Sequence, residues 1–354
     1  MPKNNEAQSA LQKVINKSRV HFYKPFQIAE ILFRHRIEKR WNLNDLESYR
    51  NVSKRWRDDI SLRLVGRRST SSQKYQDNIF EANAMPPRLL AALGEINKEG
   101  RGFVEAYIYR SFQYKLALIH DAAEYINNNT PSTFSLKELF SLFMKQAGLR
   151  RSIDKAYEIS VYALFSTLVR ALRAEVTLEV KNEDKEILND FEQFISIVLG
   201  INAKRTKITS PAALFRLGVT NAADRGLDMW TNFGAAVQVK HLTLTPDDIE
   251  DIAEDIRADR IVIVCVEAEK RPIESLLKQV GWSERIQGII TLNDLDSWYN
   301  LCLSKKYVDR LGSTLLADLG REFAYEFPST ENIVPFLKER GYDAMPLPAG
   351  WEIH

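Results

Sequence analysis

The spacing of apolar positions divides the chain into two textures. Up to about residue 180, apolar residues recur mostly every three or four positions, the period of helices with one buried face. "SALQKVINKSRVHFYKPFQIAEILFRHRIEKR" reads as helix broken near Pro25, and "FVEAYIYRSFQYKLALIHDAAEYINNN" as a long amphipathic helix closed by Asn residues and Pro131. "STFSLKELFSLFMKQAG" opens on a Ser/Thr cap and stops at Gly148. "SIDKAYEISVYALFSTLVRALRA" predicts another long helix, with little polar face around Val161 to Val169.

Beyond it the period changes. "EVTLEV" alternates every second residue and predicts a half-buried strand, and "DKEILNDFEQFISIVLG" predicts a helix closed by Gly200. "AALFRLGVTNAADRGLDMWTNFGAAVQVKHLTL" predicts two or three short strands, with turns at Asn221–Asp224 and Asn232–Gly234. From Thr245 the pattern is regular. "TPDDIEDIAEDI" has a Thr cap, Pro at the first helical position and acids in the first turn. The strand "RIVIVCVE", helix "PIESLLKQVG", strand "RIQGIIT" and helix "LNDLDSWYNLCLS" follow. This alternation predicts an α/β (α+β) fold with a partly parallel sheet covered on both faces. The expected division is a mainly helical region over 1–150, a mixed core over 151–310 and a helical extension over 311–354 with one further helix.

Composition narrows the class. The chain has 354 residues, 45% hydrophobic and 27% charged, as in an ordinary globular protein, and a net charge of +2. Cys265 and Cys302 stand in apolar contexts and predict buried free thiols in a reducing compartment. With no signal-like N-terminus and no apolar run of about 20 residues, a cytoplasmic location is expected. The five histidines show no metal spacing, and no Gly-rich phosphate loop or G-x-S-x-G elbow is present.

The chemistry concentrates in "GLDMWTNFGAAVQVKHLTL". On a strand, Val237, Val239 and His241 point one way, and Gln238 and Lys240 the other, about 6–7 Å apart. The valine side reads as the core face. Pairing across the "NFGA" turn brings Asp228 beside Gln238 and Lys240. An acid, an amide oxygen and an amine at one place suit metal-assisted phosphodiester hydrolysis, because Mg²⁺ prefers oxygen ligands. Asp228, Gln238 and the backbone carbonyl of Val239 are the expected metal ligands. Lys240 would orient water or neutralise phosphate charge. Read as spacing alone, the same residues also fit an ordinary strand with two solvated polar side chains.

The order helix, strands, helix, strand with an acid followed by "QVK" resembles the PD-(D/E)XK nuclease superfamily. The wording "TNAADRGLDMW…NFG…VQVKHLTL" resembles type II restriction endonucleases of the HaeII kind, most closely over residues 152–270. The resemblance makes Asp228 the motif acid, Gln238 the (D/E) position and Lys240 the motif lysine, all three catalytic. Two departures stand out: Leu227 replaces the motif proline, and Gln238 replaces a carboxylate. With one charge missing, a compensating acid is expected nearby; Glu158, Glu186, Glu192 and Asp224 are the candidates. The resemblance further implies Mg²⁺ as cofactor, double-stranded DNA as substrate, a homodimer on a palindrome (for HaeII-like enzymes purine-GCGC-pyrimidine), 5′-phosphate ends and a partner DNA methyltransferase, with 151–310 as the nuclease core and 1–150 contributing to DNA recognition and dimerisation.

Arg50 to Lys74 carries eight Lys/Arg against two Asp, with Trp56 interleaved and a Ser/Thr run. These residue types contact phosphates and base edges. Lys54, Arg55, Arg57, Arg67 and Arg68, with Arg225 near the motif acid, are the expected DNA contacts. Two other readings remain open at this point: a structure-specific repair or junction-resolving nuclease, and a non-catalytic DNA-binding protein.

Overall fold

Helix punctuation in the first part of the chain follows local chemistry. In a computed structural model that describes residues 2–69, 76–146, 148–182, 184–202, 205–217, 227–256, 258–281 and 284–353, α1 (Pro2–Lys17) and α2 (Tyr23–Glu38) are separated at Phe22, which adopts φ 56°. The break therefore precedes Pro25, which sits in the first turn of α2, where a missing N–H costs nothing. Next come α3 (Leu46–Val65), α4 (Pro87–Glu99), α5 (Phe103–Asn128), α6 (Leu136–Lys145) and α7 (Ile153–Ala171). Ser135 caps α6 by accepting the Glu138 N–H.

By spatial clustering, the described residues within 1–160 and 316–354 form one compact unit, and those within 161–217 and 225–315 form another. The tail contributes α11 (Ser313–Glu326) and α12 (Ile333–Arg340), two helices where the sequence pattern predicts one. Residues 316–354 thus cluster with the N-terminal helices. Inside that helical unit Glu105 is fully buried. It accepts two hydrogen bonds from Arg36 (2.9 and 2.8 Å), one from Asn97 (2.6 Å) and one from the Tyr342 hydroxyl. Buried Glu30 accepts from the Tyr109 hydroxyl at 2.7 Å and lies 3.5 Å from Arg340. Each buried carboxylate is matched by donors, as burial of charge requires.

The second unit holds a five-stranded sheet in the order β3–β4–β5–β6–β7: β3 (Leu214–Arg216), β4 (Met229–Thr231), β5 (Ala235–Leu244), β6 (Arg260–Ala268) and β7 (Ile286–Ile290). β3, β4 and β5 are antiparallel; β5, β6 and β7 are parallel. The parallel part uses α8 (Pro246–Asp255) and α9 (Lys270–Gln279) as crossovers, and α10 (Leu292–Leu303) follows β7. Capping boxes start α8 (Thr245 with Asp248) and α10 (Thr291 with Asp294). The expected mixed sheet with flanking helices is therefore present. The predicted turn at Asn221–Asp224 lies outside the described residues; the one at Asn232–Gly234 is formed, with Gly234 at φ 90°.

Two readings need correction. "EVTLEV" does form a strand, β1 (Glu175–Glu179), but it pairs only with β2 (Lys207–Pro211) in a separate ribbon whose positions are mostly exposed. Alternation alone does not say whether a second layer covers the strand. The valine side of β5 is also not the main core face. Ala236, Ile261, Ile263 and Cys265 belong to the isoleucine-rich core formed with α8 and α9, and they share a face with Gln238. The opposite face, with Val237 and Val262, borders an open cleft of about 200 Å³ lined also by Phe165, Leu168, Val169 and Thr231. A parallel strand is covered on both faces, so both kinds of residue on β5 meet protein. Cys265 and Cys302 are buried free thiols, as expected. No helix among the described residues is long and apolar enough to cross a membrane.

Candidate active site

The β4–β5 hairpin fixes the site. Thr231 closes its turn: its hydroxyl accepts the Ala235 N–H (2.9 Å) and donates to the Ala235 carbonyl (2.8 Å). The Asn232 side chain accepts the Ala213 N–H and donates to the Pro211 carbonyl, both at 2.9 Å, which ties the hairpin to β3. Met229 lies opposite Val237 and Trp230 opposite Ala236, which leaves Asp228 just before β4, next to the Val237–Val239 stretch of β5. Leu217 donates to the Asp228 carbonyl at 2.9 Å, and Asp228 N–H reaches the Val237 carbonyl at 3.3 Å.

Past the end of β4, the Asp228 side chain takes over from the backbone. Its Oδ2 accepts the Val239 N–H at 2.8 Å. A residue in an extended strand sends its N–H and C=O to the same edge. The Val239 carbonyl therefore also faces the Asp228 side. Gln238, on the adjacent position, is 4% exposed and its Oε1 has no hydrogen-bond partner. A buried amide oxygen without a donor costs roughly 1–3 kcal/mol, so its retention in an apolar core demands an explanation. Lys240 is half-buried two residues on, and the β5–β6 register shifts immediately after it. Such irregularities bend a strand and re-aim side chains. By the pleat, Gln238 and Lys240 share one face of β5, and the Asp228 carboxylate lies at the edge of that strand between them, at the Val239 N–H.

An aromatic pair stands beside the site; the alternation puts Trp230 on the Asp228 side, and the structure adds its partner Phe215. Phe215 and Trp230 are cross-strand partners stacked at 4.4 Å, both more than 40% exposed, next to Asp228 on the outer strands. The signal was the alternation in "LFR" and "DMW", which places each aromatic on the side of the acid.

Of the expected compensating acids, Glu158 is buried and ion-paired with Lys155. Glu186 and Glu192 are exposed on a helical segment, and Asp224 lies outside the described residues. Among the described residues, no group of three His, Cys, Asp or Glu is placed to hold a metal. Of the expected DNA contacts, Arg57 is buried in α3, bonded to Asp58, Gln27 and Gln76. Its guanidinium holds the helices together and is turned away from solvent. Lys54 pairs with Asp77 at 2.8 Å, and Arg67 donates to the Tyr325 carbonyl at 2.6 Å. Arg55 and Arg68 are exposed; Arg225 lies outside the described residues.

Comparison with known proteins decides the family. The model of the HaeII restriction endonuclease family matches residues 7–342. The chain belongs to the HaeII restriction endonuclease family. It is 48% identical to the type II restriction enzyme HaeII of Haemophilus aegyptius over 339 residues, covering 95% of this chain and 96% of the relative. It is 47% identical to the type II restriction enzyme NgoBI of Neisseria gonorrhoeae over 341 residues, covering 96% and 97%. Membership makes the chain a type II restriction enzyme, a hydrolase of the site-specific deoxyribonuclease class. No solved structure gives a significant match. The family implies a divalent metal ion. The orphaned Oε1 of Gln238 beside the Asp228 carboxylate and the Val239 carbonyl is an all-oxygen set that fits a hard cation.

Proposed function

We propose that Asp228, Gln238 and Lys240 form the catalytic site of a Mg²⁺-dependent endonuclease with a PD-(D/E)XK core. It cuts double-stranded DNA at a short palindrome, purine-GCGC-pyrimidine, as a homodimer. The observation that carries the reading is the buried, unpartnered Oε1 of Gln238, on the β5 face it shares with Lys240 and next to the Val239 N–H that the Asp228 carboxylate accepts. Asp228, Gln238 Oε1 and the Val239 carbonyl would hold the metal, which supplies positive charge to the scissile phosphate as negative charge grows on it. Lys240 is the cation of the protein itself; its ammonium orients the attacking water and stabilises the same developing charge. Attack at phosphorus breaks the bond to O3′, leaving a 5′-phosphate and a 3′-hydroxyl. The bond from Val239 fixes the Asp228 carboxylate before substrate arrives, so little reorganisation remains at the moment of reaction. Gln238 removes a negative charge from a site that must accept phosphate, at the expense of a weaker hold on the metal. The exposed arginines Arg55 and Arg68 are proposed DNA contacts, and a DNA methyltransferase of the same specificity is the proposed functional partner.

Digestion of a sequenced phage DNA tests this. Discrete fragments with ends mapping to one palindrome are expected with Mg²⁺, and intact DNA with excess chelator. A smear, or cutting confined to junctions, contradicts the proposal.

A further inference from the structure

The segment 185–199 is helical throughout most of its length: Lys185–Asp190, Glu192–Phe194 and Ile195–Leu199 follow one another between β1 and β2. Ile195, with Ile201 after it, is buried and anchors it. Its other apolar side chains face solvent: Ile187 is 46% exposed, Phe191 58%, Phe194 55%, Ile197 74% and Val198 60%. Ile187, Phe191, Phe194 and Val198 recur every three or four residues along this segment, which breaks at Phe191 and ends in a π-helical turn over Ile195–Leu199. Together with Ile197 they expose about 500 Å² of apolar surface, the size of patch that marks an interaction site on a protein of this kind.

We infer that this stripe is the contact by which two copies of the chain associate, antiparallel about a two-fold axis. The inference rests on the homodimer proposed above and assigns its interface. An isologous contact doubles the patch to about 1,000 Å², the lower bound for a specific interface. In the antiparallel sense, a two-fold axis between residues 192 and 193 sets Phe191 against Phe194 of the partner subunit and Ile187 against Val198 of the partner subunit. Charge agrees. Asp184, Glu186, Asp190 and Glu192 against Lys185 leave the N-terminal half acidic, while exposed Arg205 and Lys207 follow the C-terminal end. Antiparallel pairing brings acids toward bases; parallel pairing sets acids against acids. The same acids repel phosphate and so favour a second copy over DNA as the occupant.

Analytical ultracentrifugation of the full chain, with and without Phe191→Glu plus Phe194→Glu, tests the inference. Both positions are exposed, so the fold is expected to survive, with an unchanged circular dichroism spectrum. A wild-type dimer and a dissociation constant weakened roughly 100-fold or more in the variant are expected. A dimer that persists in the variant overturns the stripe but leaves the homodimer standing; a monomeric wild type overturns both. Orientation is read independently by mild oxidation of Ile187→Cys plus Val198→Cys, since the two native thiols are buried. Cross-linked dimer is expected from the double variant and none from Ile187→Cys alone. Efficient cross-linking of Ile187→Cys alone overturns the antiparallel arrangement.

Discussion

Asp228 has two jobs in this account, and two substitutions separate them. Its Oδ2 satisfies the Val239 N–H at 2.8 Å, past the end of the β4 ladder. Asp228→Ala leaves that half-buried N–H without an acceptor, a loss of about 1–2 kcal/mol of stability. Asp228→Asn keeps an oxygen in the same place, so the structural bond survives in neutral form and the loss stays below about 1 kcal/mol. The charge needed at the phosphate disappears in both. Urea denaturation of the three proteins is expected to rank them wild type, Asn, Ala. Single-turnover cleavage is expected to fall at least about 100-fold in both variants, with duplex binding retained in chelator. If Asp228→Asn cuts within tenfold of wild type, the carboxylate is only a strand cap and the site assignment is wrong.

Other predictions follow from single groups. Gln238→Leu removes an unsatisfied amide from the core; it is expected to leave stability unchanged or raise it by about 1 kcal/mol, while cleavage drops to background in the same gel assay. Gln238→Glu is expected to retain cleavage and to change the relative rates with Mg²⁺ and Mn²⁺; equal metal ratios in both proteins would count against Gln238 as a ligand. Burial pushes the His21 imidazole down to about 4, helped by the Arg67 charge. The native state therefore binds fewer protons than the unfolded chain between about pH 4 and the usual 6.5. Stability is full above 6.5 and declines as pH falls through that window, by about 2 kcal/mol at pH 5. His21→Phe is expected to flatten that part of the pH profile of the urea midpoint; an unchanged slope would refute it.

The regular half of the fold was legible because local signals agree. Thr245 and Thr291 begin helices with the boxes their sequences spell, and the isoleucine runs of β6 and β7 are buried as parallel strands must be. The hairpin that brings β4 against the start of β5 was legible too, since a short turn fixes hairpin register. What escaped depends on distant packing. Period two in "AAVQVKH" separates two faces but does not say that Gln238 faces isoleucines and Val237 borders a cleft. A count of arginines in 50–74 does not reveal that Arg57 is consumed by Asp58, Gln27 and Gln76. The pattern of 184–200 predicts a helix closed by Gly200 but does not show that Ile187, Phe191 and Phe194 are exposed in the single chain. The wording around the motif resembled the family over 152–270; the family match runs over 7–342.

Lys240 provides the most direct test of the central claim, because it is the only cation that the proposed chemistry places at the phosphate from the protein itself. Lys240→Met keeps the stem length and removes the charge. The measurement is the single-turnover rate of hydrolysis of a duplex carrying the mapped site, under saturating protein and Mg²⁺. The account predicts a loss of about 1,000-fold or more, with binding of the same duplex within a few-fold of wild type. A rate within tenfold of wild type would contradict it.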